Sequence, residues 1–242
     1  MKIALLGYGK MGKTIEKLAK KQNHEIVLKI SKKNKTLLDV KYLKQLDADV
    51  ALEFSRPERA FENITTCLRA NLPVVSGTTA WLNHYEAACR ICKENKGAFL
   101  YASNFSLGMN IFFVVNRKLA TLMRVHKAYK QKILEIHHTE KLDAPSGTAI
   151  SLAEGIMLEN PRYKKWNLGT EASSENSIPI EARRLPNVPG THRVTYQSEV
   201  DEIEIKHEAK NRDGFALGAL LAAQWLVGKV GVFSMEDFMN SM

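Results

Sequence analysis

The chain has 242 residues, 45% of them apolar, and a formal net charge of +9 from 35 Lys and Arg against 26 Asp and Glu. This apolar content exceeds that of disordered chains and suffices for one large core or two modest ones. The basic residues are scattered, with no block of five like charges and no aromatic-plus-basic recognition motif, which argues against nucleic acid and for a solvated surface that attracts small anions.

Residues 2–6 form a short apolar run ending at Gly7, and residues 13–20 carry Ile15, Leu18 and Ala19 at helical spacing. The chain thus opens as strand, glycine turn, helix. Further strands are expected at 25–30, 50–54, 72–76 and about 98–102, with helical patterns at 56–70 and 82–94 between them. Such alternation implies a parallel sheet with right-handed crossovers. After Asn104 the rhythm changes. An apolar helix over 108–123 leads to a strand at 132–138, a helix at about 146–158 and a polar surface loop at 162–177. The pieces 180–184, 190–197 and 202–209 alternate apolar and polar residues, as antiparallel strands with one covered face do, and a helix over 214–228 follows. The fold class is therefore α/β: a Rossmann-type parallel-sheet domain (1–104 with 213–242) and a mixed α/β domain with a largely antiparallel sheet (105–212).

Cys67, Cys89 and Cys92 are too few for a disulfide framework, and the Cys89–Cys92 pair lies in a helical pattern with no second ligand pair at zinc spacing, so free thiols are expected. The first apolar stretch runs into the glycine loop instead of a signal cleavage site, and the apolar run 215–227 falls short of the ~20 residues of a membrane span. A cytoplasmic protein without a membrane partner is the expectation.

Gly7, Tyr8, Gly9, Lys10, Met11 and Gly12 fit GxGxxG after a strand and before a helix, the setting that dinucleotide binding requires. The first glycine permits the tight turn, the second admits the pyrophosphate, and the third lets helix pack on strand. The acid that normally grips the adenosine ribose of NAD is replaced by Ser31 and Lys32, with Lys33 next. Such a set binds a 2′-phosphate, which favours NADPH over NADH.

The run 135–149 reads EIHHTEKLDAPSGTA. Along its strand Ile133, Glu135 and His137 share one face, while Leu134, Ile136 and His138 share the other. Lys141 follows four residues after His137. Pro145 suits a first helical turn, Asp143 or Ser146 can cap the helix, and Ser146, Gly147 and Thr148 present N–H groups and hydroxyls to a carboxylate. A zinc reading would use His137, His138 and Asp143, but adjacent strand histidines diverge, so no metal is expected.

This run closely resembles the signature of the 4-hydroxy-tetrahydrodipicolinate reductase (dihydrodipicolinate reductase) family, EHHxxKxDAPSGTA with small variations. The likeness extends through the glycine loop, Glu53-Phe54-Ser55-Arg56-Pro57, Ser76-Gly77-Thr78-Thr79, the block 102–108, Val188-Pro189-Gly190-Thr191-His192 and the block 205–212. It implies a homotetramer built through the sheet of the second domain. It also implies reduction of a cyclic dicarboxylate, with hydride passing from nicotinamide to C4 as the hydroxyl leaves as water, and a proton delivered to C3. By the same resemblance His137 is the proton donor, and Lys141 the second acid and carboxylate partner. His138, Ser146, Gly147, Thr148 and Arg212 hold the substrate carboxylates, and Gly77, Thr78, Thr79, Ala102, Ser103, Asn104 and Phe105 line the nicotinamide side. Departures from the family pattern are a glycine loop one residue short, the missing acid after the second strand, and Ala80 where glycine is usual. The alternatives are a nicotinamide-dependent dehydrogenase of another amino or imino acid, and a non-catalytic NAD(P)H sensor.

Overall fold

The computed structural model describes residues 1–31, 33, 38–211 and 213–241, and it divides into two compact units, Met1–Asn110 with Arg212–Met242, and Ile111–Asn211. The first unit contains strands β1 (Lys2–Leu6), β2 (Glu25–Ile30), β3 (Val50–Glu53), β4 (Val74–Ser76), β5 (Ala98–Tyr101) and β11 (Gly231–Phe233), in the spatial order β11-β5-β4-β3-β1-β2. Every pairing is parallel. Strand order reverses between β1 and β3, and at such a switch point the carboxyl ends of the strands leave a crevice for a ligand.

The helices of this unit are α1 (Lys10–Lys21), α2 (Val40–Gln45), α3 (Pro57–Arg69), α4 (Tyr85–Glu94), α7 (Asp213–Leu226) and α8 (Met235–Asn240). In α3 the apolar positions Ala60, Ile64, Cys67 and Leu68 recur at helical spacing and are all buried. Full burial of side chains such as Ile64 and Leu68 stabilises by roughly 1.5–3 kcal/mol each. Helix α7 is rich in alanine, with Ala216, Ala219, Ala222 and Ala223 fully buried, and small residues let it approach α1 and the sheet closely. It returns the end of the chain to the first unit.

In the second unit, α5 (Leu107–Met123, which begins in the first unit) and α6 (Gly147–Glu159) accompany β6 (Lys130–His137), β7 (Lys165–Leu168), β8 (Ser177–Arg184), β9 (Thr191–Gln197) and β10 (Glu202–Glu208). The order is β10-β9-β6-β8-β7. β6 and β10 run antiparallel to β9, whereas β8 runs parallel to both β6 and β7. A sheet expected to be largely antiparallel is thus evenly mixed, because α6 and the chain after it form a crossover between β6 and β8, which alternation within a strand cannot reveal.

Three further differences have local causes. β7 lies inside the segment 162–177 expected as a loop; its four residues are too few for a period to show. β11 and α8 follow the last expected helix and are equally short. The second helix starts at Gly147 with Ser146 as its cap, and Pro145 stands outside it behind a cis Ala144–Pro145 bond, so neither Pro145 nor Asp143 opens the helix. No helix among the described residues is long and apolar enough to cross a membrane.

Candidate active site

The glycine loop leaves β1 at Gly7, whose φ of +107° is open only to glycine at no cost. A side chain there would also stand 2.1 Å from the carbonyl oxygen of Phe54, and one at Gly12 would stand 2.3 Å from the carbonyl of Gly7. Gly9 is the opposite case, since nothing lies within 4 Å of where its Cβ would be. The loop is therefore closed on the protein side and open at Gly9. Helix α1 begins at Lys10, so Lys10, Met11 and Gly12 form its first turn, with no side-chain cap and no acidic residue. An uncapped helix start beside open space fits the pyrophosphate of a dinucleotide.

Tyr8, in that loop, donates its hydroxyl hydrogen bond to Glu16, which is also held by Lys20 and Lys29 at 2.8 Å each. Those hydrogen bonds and the lysine charges pull the Glu16 carboxyl down to about 2. The Glu16 carboxylate is thus ionised, with its charge paired to two lysines. After β2 comes Ser31, whose hydroxyl accepts from the Lys33 amide at 3.2 Å. Lys32 and Arg212 lie outside the described residues.

Gly77, Thr78 and Thr79 follow β4, and Ala102, Ser103, Asn104 and Phe105 follow β5, so both segments leave the same carboxyl edge of the sheet as the glycine loop. Several of these residues are committed to packing. Thr78 accepts from the Ser55 amide at 2.9 Å, Asn104 accepts from the Ser106 amide at 2.9 Å, and Phe105 is buried against Phe54 with ring centroids 5.6 Å apart. Two anchors here escaped the sequence reading. Trp81 is buried and donates its indole N–H to the Thr78 carbonyl at 2.7 Å. The fully buried carboxylate of Glu53, at the end of β3, accepts from Ser55, Asn63 and Ser76 and so ties the ends of β3 and β4 together.

In the second unit the period-2 reading of the strand holds: Gln131, Ile133, Glu135 and His137 are buried on one face of β6. His137 stands at the strand end, its Nδ1 3.4 Å from Glu135 Oε2. Burial pushes its imidazole below the ordinary histidine value; Glu135 and Asp143 pull it up, while Lys141 and Arg184 push it down. Beside it, β9 contributes His192, with the two rings edge-on and 5.0 Å apart. Burial pushes His192 down to about 3, so it is neutral near pH 7. Lys141 Nζ lies 2.8 Å from both carboxylate oxygens of Asp143.

The helix start divides the predicted carboxylate cradle. Ser146 is buried, its amide donates to Glu135 Oε2 at 3.0 Å, and its hydroxyl caps the helix through the Ala149 amide at 3.2 Å while lying 3.3 Å from His192 Nε2. Gly147 faces open space. Gly147 is therefore the exposed member of the turn, Thr148 is half-buried, and the buried Ser146 holds the turn in place. His138 lies immediately after β6 and is half-buried.

Glu135, His137 and His192 also form a cluster of metal-ligand type, their atoms within 4.8 Å of one another. Glu135 is already engaged, however, with Arg184 Nη2 at 3.1 Å from Oε1 and the Ser146 amide on Oε2. Both Glu135 oxygens thus have donors, while His137 Nδ1, 3.4 Å from Oε2, has no hydrogen-bond partner among the described residues. Of this cluster, Glu135 was legible from its shared face with His137. His192 and Arg184 were not, since only strand register brings them there.

Comparison with known proteins bears on the family of the chain. Residues 1–105 match the family model for the N-terminus of dihydrodipicolinate reductase, and residues 108–239 match that for its C-terminus. A protein of Christiangramia forsetii named 4-hydroxy-tetrahydrodipicolinate reductase is 51% identical over 242 residues, covering 100% of this chain and 99% of the relative. Its namesake from Rickettsia bellii is 35% identical, over 97% of this chain and 92% of that one. Among solved structures, a dipicolinate-bound dihydrodipicolinate reductase from Paenisporosarcina sp. TG-14 superposes with a TM-score of 0.77 at 26% identity and 97% coverage of both chains. Matched along both halves and at this identity over its full length, the chain belongs to the dihydrodipicolinate reductase family.

Proposed function

We propose that this protein reduces 4-hydroxy-2,3,4,5-tetrahydrodipicolinate to 2,3,4,5-tetrahydrodipicolinate with loss of water, in the formation of lysine and diaminopimelate. The family is one of pyridine-nucleotide-dependent reductases on a Rossmann-type fold. The observation that carries the proposal is the gathering of an imidazole, an ammonium group and a helix start around the end of β6. Protonation at carbon needs a group that holds a proton near neutrality, and a dicarboxylate needs a cation and fixed N–H donors. The dipicolinate in the Paenisporosarcina structure is a flat cyclic dicarboxylate of the kind such a site would take.

In this reading the first unit binds the dinucleotide and the second unit holds the substrate and builds the oligomer. A reduced nicotinamide, when bound, supplies the hydride. Gly9, Lys10, Met11 and the start of α1 hold the pyrophosphate. Gly77, Thr79, Ser103 and Asn104 flank the nicotinamide. His137 donates the proton from its imidazole, with the Glu135 carboxylate beside the ring. Lys141 exchanges Asp143 for a substrate carboxylate, and the N–H groups at Gly147 and Thr148, with His138, take the other.

NADPH is the favoured cofactor. What supports this is the lack of a carboxylate at the end of β2, where Ser31 stands, and the pairing of the Glu16 charge with Lys20 and Lys29. The protein acts in the cytoplasm as a homotetramer. The test is NAD(P)H oxidation on freshly made hydroxy-tetrahydrodipicolinate, with both cofactors side by side. Turnover with a preference for NADPH is expected. No turnover would sink the activity, and a preference for NADH would sink the cofactor reading alone.

A further inference from the structure

The stretch that carries Lys141 has little to hold it. From Thr139 to Ala144 the side chains are exposed except for Lys141, and Leu142, its most apolar residue, is 97% exposed. Among the described residues, the Lys141 amide bonds back to the His138 carbonyl, at 3.1 Å, and the loop's one strongly apolar side chain stays out of the core.

Arg184 supplies the anchorage. Strand register sets it opposite His137, at the ends of β8 and β6, and the next amide, of Leu185, donates to the His137 carbonyl at 2.8 Å. Its guanidinium donates from Nε to the Lys141 carbonyl at 3.2 Å, and from Nη2 to the Asp143 carbonyl at 2.6 Å and to Glu135 Oε1 at 3.1 Å. Nη1 donates to the Arg183 carbonyl at 2.9 Å. One planar group thus ties both ends of the Lys141–Asp143 bend to the buried carboxylate of the strand that bears His137. A lysine, with a point-like head, cannot span those acceptors together. Glu135 completes the clasp through the Ser146 amide, which adds the start of α6.

We infer that Arg184 is a positioning residue for the reaction, fixing the Lys141 loop against the His137 end of β6 so that the ammonium group and the imidazole keep a set separation. This rests on the proposed role of Lys141 as substrate partner. A misplacement of about 1 Å in such a group costs on the order of a hundredfold in rate.

The experiment uses the purified full-length protein with hydroxy-tetrahydrodipicolinate and NADPH, comparing Arg184→Lys and Arg184→Ala in the wild-type and Lys141→Ala backgrounds. Arg184→Lys keeps a charge opposite Glu135 and should fold; its kcat should fall by roughly 10- to 100-fold, with the KM for NADPH unchanged. In the Lys141→Ala background the same change should cost less than about threefold, because the group being positioned is already gone. Arg184→Ala should behave likewise where it folds, and otherwise Arg184→Lys decides alone. Wild-type kcat in Arg184→Lys, or an equal loss with and without Lys141, overturns the inference while the activity stands. A wild-type protein without turnover overturns the functional reading and this inference with it.

Discussion

His137 shows how a single residue can be placed by its sequence and tuned by its surroundings. Alternation along β6 puts it on the inner face with Glu135, yet its proton affinity also depends on neighbours from two other segments: Arg184 of β8 and the Lys141–Asp143 bend. Burial is the largest influence and lowers its pKa below the ordinary 6.5. A proton donor is loaded below its pKa, so kcat/KM, which reports the free enzyme, should fall as pH rises through a midpoint under 6.5. A bound dicarboxylate brings negative charge and should raise that midpoint in kcat. His137→Ala should remove this limb and lower kcat by at least about a hundredfold while NADPH binding, measured by fluorescence titration, is kept. Lys141→Ala should lower kcat comparably. A pH limb that survives in His137→Ala would assign the proton to another group.

At the level of elements, the nucleotide side depends on tight turns at the carboxyl ends of β1 and β4. The glycine loop was readable because its spacing obeys a steric rule, and the structure shows the rule acting: side chains at Gly7 and Gly12 would collide with backbone carbonyls, and Gly9 would not. The turn after β4 has a different history. Ala80, where the family pattern has glycine, is exposed and adopts a φ of +61°. For an L-residue the left-handed region costs about 1–2 kcal/mol, partly offset by the chain entropy that glycine would lose on folding. Ala80→Gly should therefore stabilise the protein by about 1 kcal/mol, read as a higher urea midpoint at unchanged slope. An unchanged or lower midpoint would mean that the turn relaxes without cost. Trp81, next in sequence, pins the same turn through the Thr78 carbonyl, which shows why the alanine conformer is held.

For the whole molecule, the mixed sheet of the second unit has one face that buries Ile133, Glu135 and His137 and another that carries Lys132, Leu134, Glu181, Arg183 and Arg193. That second face carries charges of both signs beside Leu134, and in the proposed tetramer it would meet its copy. Light scattering at micromolar concentration should give four times the 27.3 kDa chain mass, and a monomer would remove the tetramer from the proposal. The sequence by itself determined what depends on local rules: the parallel α/β unit from strand–helix alternation, the glycine loop from its steric spacing, and the shared buried face of Glu135 and His137 from strand period. Tertiary structure alone decided what depends on register and crossover: that β8 runs parallel to β6, that Ser146 caps the helix while Gly147 faces outward, and that Arg184 and His192 close around Glu135. The reason is physical. Steric and periodic preferences act between near neighbours in the chain, whereas a buried carboxylate is satisfied by whichever donors the fold brings to it, here from residues 49 and 11 positions away.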